Sequence, residues 1–134
     1  MGVAISDPQG VLATPLVTIF RDRAPGRGAV PADLSELARL VEAHATVEVV
    51  VGLPVTLAGI EGPAARQARA YAQRLAALID PVPVTLADER MSTVVATRRL
   101  SEQGVKGRRR RKVIDQAAAA EILQGWLDAR RRRG

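Results

Sequence analysis

Residues 47–54, "VEVVVGLP", form a nearly unbroken apolar run interrupted by one charge. A strand exposed on one face alternates apolar and polar side chains. A run without alternation predicts a strand covered on both faces, as in the parallel sheet of an α/β protein. The residues that follow agree. A loop over 53–62 leads to a helix from Pro63 to about Ile79, with Ala64, Ala68, Tyr71, Ala72, Leu75 and Leu78 recurring at helical spacing. Residues 82–87, "VPVTLA", then read as the next strand, which completes a strand–helix–strand unit.

Around this unit the chain supplies further elements. Residues 2–6, "GVAIS", predict a strand, "DPQG" a turn, and residues 11–20 a hairpin partner placed at an edge by Pro15. Asp33 with Glu36 three residues on predicts a capping box, opening a helix with Leu34, Leu37, Ala38 and Val41 on one face. A helix over about Ser92 to Gln103 should end at Gly104, and a last helix should run from about Val113 to Arg130. At 134 residues, 1–134 is expected to be one domain with a mixed sheet flanked by helices and a basic tail at 130–134. No run of about 18 apolar residues is present, which predicts no membrane span. The start of the chain has no secretory pattern, and the absence of cysteine removes disulfides and thiolate metal sites, in keeping with a reducing cytoplasm.

The formal charge of +6 and pI of about 11.1 point to a polyanionic partner. The positive charge gathers late, in the run Arg108, Arg109, Arg110, Arg111 and Lys112 and again in "ARRRRG" at the end. With one Phe, one Tyr and one Trp, recognition by base stacking is unsupported, so contacts should fall on phosphates.

Catalytic chemistry should sit at the carboxyl end of the parallel strands. In "VTLADERMST" (84–93) a buried-type strand runs directly into Asp88, Glu89 and Arg90. An acid there can simply favour the positive end of the next helix dipole. Asp115 is the second acid of interest: it lies in line with Ala119, Ile122 and Trp126, which predicts that it points inward from the first turn of the last helix. A charge on a core-facing stripe calls for a partner. Two carboxylates converging at a sheet edge suit a hard divalent cation, Mg²⁺ or Mn²⁺.

Taken in order, "GVAISDPQGVLATPL", "VVVGLPVTLAGIEG", "ADERMSTVVA" and "VIDQAAAAEILQGWL" resemble successive signature segments of the YqgF/RuvX family. These are pre-16S rRNA nucleases, also described as Holliday junction resolvase-like, with a ribonuclease H-like fold. The resemblance spans essentially the whole chain. It implies Glu89 and Asp115 as metal-binding catalytic carboxylates and a role in maturing the 5′ end of small-subunit rRNA in the bacterial cytoplasm. It also implies a central strand ahead of Met1 that carries an aspartate in a Gly-x-Asp context. The sequence holds no such segment, so the first strand is expected to be missing through truncation or a late start codon, with Asp7 a turn residue rather than a substitute ligand.

The reading that results is a metal-dependent nuclease acting on structured RNA or a ribosomal precursor. Glu89 and Asp115 would hold the cation, and Arg90 with Arg108–Lys112 would contact phosphates. The rival readings are a non-catalytic nucleic-acid-binding or ribosome-assembly factor, and an enzyme that resolves DNA junctions.

Overall fold

The computed structural model describes residues 1–56, 58–91 and 107–133. Within them the chain forms β1 (Gly2–Ser6), β2 (Ala13–Thr18), α1 (Ala32–Ala43), β3 (Val49–Leu53), α2 (Pro63–Ile79), β4 (Val84–Asp88), a short 3-10 turn (Glu89–Met91) and α3 (Arg108–Arg132). This is a mixed α/β arrangement, with β1 paired to β2 and β3 paired to β4 in two separate two-stranded sheets. The helix expected over Ser92–Gln103 lies outside the described residues. Two compact units form, one from residues 1–18 with 87–134 and the other from 19–86.

In the first unit β1 and β2 make an antiparallel hairpin. Asp7 builds its turn: one carboxylate oxygen accepts the backbone N–H groups of Val11 (2.7 Å) and Leu12 (2.8 Å), and Gly10 adopts a positive φ of 68°. Those N–H donors hold the Asp7 carboxyl below the usual carboxylate range. Val3 faces Val17 while Ala4 faces Pro15, so Leu16 is an extra residue. The bulge falls beside the proline, which has no N–H for the ladder.

α3 packs on both strands. Gln124 spans the hairpin mouth, accepting from the Ala13 N–H (2.8 Å) and donating to the Val11 carbonyl (2.8 Å). Gln116 donates to the Thr18 hydroxyl (3.0 Å), which in turn donates to the Lys112 carbonyl (3.2 Å). Ala118, Leu127 and Ala129 are the buried apolar residues of the helix. At Gly2 the strand comes so close that a Cβ would overlap the Asp115 backbone carbonyl. Gly2→Ala is therefore expected to destabilise the chain by about 1–3 kcal/mol, because backbone cannot yield as a side chain tip can. A thermal melt checks it, and an unchanged midpoint would show that this approach is loose.

The second unit is built on α2, which buries Ala65, Tyr71, Ala72, Leu75 and Ile79. The expected stripe is thus rotated slightly, since Ala64 and Leu78 are exposed and Ala65 and Ile79 are buried in their place. β3 also differs from expectation: Val49 to Gly52 are half-buried and only Leu53 is buried. A strand in a two-stranded sheet has one neighbour and is less covered than one inside a wide sheet. The capping box is corrected as well. Pro31 precedes α1 without a side-chain cap, Asp22 accepts the Ala32 N–H (3.0 Å) from the preceding loop, and Glu36 pairs with Arg39. Asp33 turns inward, where it accepts from the Tyr71 hydroxyl (2.5 Å), the Asp22 N–H (3.2 Å) and Arg21 (3.3 Å). Among the described residues, no helix is long and apolar enough to cross a membrane.

Candidate metal and nucleic-acid site

β4 ends on Asp88 without glycine or proline because the aspartate closes its own turn. Its carboxylate accepts the Arg90 N–H two residues on (2.9 Å). The Arg90 guanidinium folds back onto the same carboxylate, with Nε at 3.1 and 3.0 Å from the two oxygens and an Nη at 2.6 Å. These hydrogen bonds hold the Asp88 carboxyl below the usual range, against a smaller opposing effect of burial. Arg90, expected to reach phosphate, is in this arrangement engaged by Asp88.

Glu89 follows in the 3-10 turn and is buried, with 8% of its surface exposed. The turn packs against α3, the helix that carries Asp115. Both expected carboxylates thus belong to the same unit. Asp115 itself is exposed. The expectation of an inward-pointing acid in the first turn is corrected. α3 begins at Arg108, five residues earlier than the sequence suggested, which places Asp115 in the third turn. Arginine is a good helix former, and the helix that continues from it is anchored on β1 and β2.

The basic run therefore opens a helix rather than occupying a loop. Arg110 and Arg111 are exposed and Lys112 is half-buried, while the side chains of Arg108 and Arg109 lie outside the described residues. Arg111 stands four residues before Asp115, one helical turn away on the same side. Among the described residues, no group of three or more His, Asp or Glu side chains gathers around a single point. Glu89 and Asp115 are oxygen donors only. A site of one or two carboxylates that leaves positions to water and substrate phosphate is what Mg²⁺ favours, so the donor chemistry fits a hard divalent cation.

Sequence reasoning missed Gln116 and Gln124. The available signal was two long amide side chains eight residues apart, flanking the stretch of Ala, Ile and Leu in the middle of the last helix. It also missed the close approach at Gly2, for which a glycine opening a strand was the signal.

Comparison with known proteins adds the following. The model of the family RuvX, described as Holliday junction resolvase, matches residues 1–129. A protein of Rhodococcus erythropolis is 52% identical over 132 residues, covering 98% of this chain and 73% of the relative. One of Nocardia farcinica is 52% identical over 130 residues, covering 97% and 72%. One of Streptomyces avermitilis is 53% identical over 131 residues, covering 98% and 80%. Each carries the name "Putative pre-16S rRNA nuclease".

Proposed function

We propose, since this chain belongs to the RuvX family, that it is a metal-dependent nuclease that trims the 5′ end of precursor 16S rRNA in the cytoplasm. The observation that carries the reading is the near-complete coverage of this chain by relatives of that name, 52% identical over 132 residues and 53% over 131. The local chemistry supports it. Glu89 and Asp115 are the groups that would hold Mg²⁺ or Mn²⁺. A divalent cation there supplies Lewis-acid stabilisation of charge on the scissile phosphate and a more acidic attacking water.

The chain's own residues do the rest. Burial of Glu89 puts its carboxylate in a region of lower effective dielectric, where its pull on a cation is stronger than at the surface. Exposure of Asp115 leaves it open to substrate. Arg110 and Arg111, with Arg108, Arg109 and Lys112 in the same run, draw phosphates towards the turn before Asp115 without reading bases. Asp88 holds Arg90 in place beside Glu89.

The family description favours one second reading, resolution of a four-way DNA junction. The test is incubation of the purified chain with 5′-extended 16S rRNA and with a four-way DNA junction, each with Mg²⁺, with Mn²⁺ and with EDTA. Cleavage of the RNA, lost in EDTA, is the expected result. A cleaved junction beside intact RNA selects the second reading, and binding without cleavage of either makes the chain a non-catalytic factor.

A further inference from the structure

The first rung of the hairpin meets α3 at the turn that carries Asp115. Gly2 of β1 faces Thr18 of β2 across the ladder. On the Gly2 side, a Cβ would overlap the Asp115 carbonyl and stand 2.7 Å from the Gln116 nitrogen. The strand backbone therefore rests directly on the peptide group that follows Asp115. On the Thr18 side, one hydroxyl donates to the Lys112 carbonyl (3.2 Å), ahead of Asp115, and accepts from the Gln116 side chain (3.0 Å), just after it. Contacts from a single rung thus bracket one turn of α3, 112–116, and all belong to the same unit. At the other end of the hairpin, Gln124 ties the helix to Val11 and Ala13. That joint lies about 12 Å further along the axis, at about 1.5 Å per residue. Both joints hold the hairpin to α3, but only the first adjoins an acid of the candidate site.

We propose that Thr18 and Gly2 are positioning residues for the Asp115 carboxylate: they set where the helix backbone holds it, and through it the affinity for the cation. The assignment rests on the reading of Asp115 as a cation ligand and goes beyond it by naming what places that ligand. Asp115 is exposed, so packing does not fix its side chain. An aspartate has two side-chain torsions, and its oxygens follow any displacement of its backbone closely. A metal ligand has to be held within about 0.5 Å of its working position. Gly2 lets the strand approach this closely because it has no side chain to interpose. Thr18 locks the same turn, since its hydroxyl acts as donor and acceptor at once. Its removal frees the Lys112 carbonyl and the Gln116 amide together. Groups that orient a metal ligand from behind commonly change metal affinity or activity by about 10- to 100-fold.

The test compares wild type with Thr18→Val, Thr18→Ser, Gly2→Ala, Gln124→Ala and Asp115→Asn. Each is followed by Mn²⁺ titration with electron paramagnetic resonance, by thermal melts, and by kcat and KM on 5′-extended 16S rRNA. Thr18→Val keeps the branched shape and loses both hydrogen bonds. It should weaken Mn²⁺ binding about tenfold and lower kcat by a similar factor. KM for RNA should change less than about twofold, because the arginines that draw phosphates remain. Thr18→Ser, which keeps the hydroxyl, should restore Mn²⁺ affinity and kcat to within about twofold of wild type. Gly2→Ala should act in the same direction as Thr18→Val. Gln124→Ala loosens the far joint of the same hairpin, so it should lower the melt while leaving Mn²⁺ affinity within about twofold. An equal loss of Mn²⁺ affinity per degree of melting temperature in Thr18→Val and Gln124→Ala would make the rung merely structural and overturn the proposal. So would failure of Thr18→Ser to restore binding. Lost Mn²⁺ binding in Asp115→Asn beside wild-type binding in Thr18→Val would overturn the proposal alone. Unaltered Mn²⁺ binding in Asp115→Asn would overturn the reading of Asp115 as a ligand, and the proposal with it.

Discussion

Asp33→Ala is expected to lower the melting temperature by roughly 10 °C or more. Asp33 is almost fully buried, at 2% exposure, and accepts from the Tyr71 hydroxyl, the Asp22 amide and Arg21. Arg21 also stacks over the Tyr71 ring, 4.3 Å from its centre. Removing the carboxylate leaves a buried hydroxyl and an amide without their acceptor, and breaking such a buried network costs about 3–5 kcal/mol. Arg21 is nearly half exposed and screened by solvent, so most of the loss should come through Tyr71. Tyr71→Phe, which keeps the ring, should cost about 1.5–3 kcal/mol.

The acid limb of the stability curve gives an independent check. Burial alone would push the Asp33 carboxyl up, but the hydrogen bonds from Tyr71 and Asp22 and the charge of Arg21 outweigh it and hold it below the usual range. A folded-state value below the unfolded one, which is about 3.9, means that the contribution is complete above about pH 4. It is lost as the pH falls through the lower folded-state value. The Tyr71 phenol is pushed up by burial and by Asp33, so its contribution is present below about pH 10 and lost at higher pH. Asp33→Asn should flatten the acid limb. An unaltered limb would show that other carboxylates govern it.

Glu89→Gln and Asp115→Asn are each expected to reduce the rate of RNA cleavage by about 10²-fold or more, equivalent to roughly 3 kcal/mol of transition-state stabilisation. The two differ in their effect on folding. Asp115 is exposed, so its amide should melt close to wild type, whereas Glu89 is buried and its substitution should also shift the melt. Loss of cleavage in a fully folded Asp115→Asn separates chemistry from stability. Wild-type rates in that variant would remove Asp115 from the site.

Much of the fold is legible in the sequence because period and punctuation agree. The short strand at 2–6 and the turn residues "DPQG" give the hairpin, and Pro63 marks the start of α2 to the residue. What was not legible depends on contacts distant in sequence. Asp33 and Glu36 have the spacing of a capping box, but Tyr71, thirty-eight residues away, offers Asp33 a buried donor and wins it. The direction of Asp115 was misjudged because the run of arginines looked like a break between helices when it is the opening of one. Asp88 and Glu89 were visible as acids at a strand end. That Asp88 would take Arg90 and leave Glu89 to be buried depends on how the turn closes, which spacing does not encode.

The most direct test of a shared cation is Mn²⁺ binding, followed by electron paramagnetic resonance, to the wild-type chain, Glu89→Gln, Asp115→Asn and the double variant. If the two carboxylates hold one ion, each single change removes most of the affinity and the double change removes little more, a strongly non-additive cycle. Losses that simply add, or binding that survives both substitutions, would contradict the account.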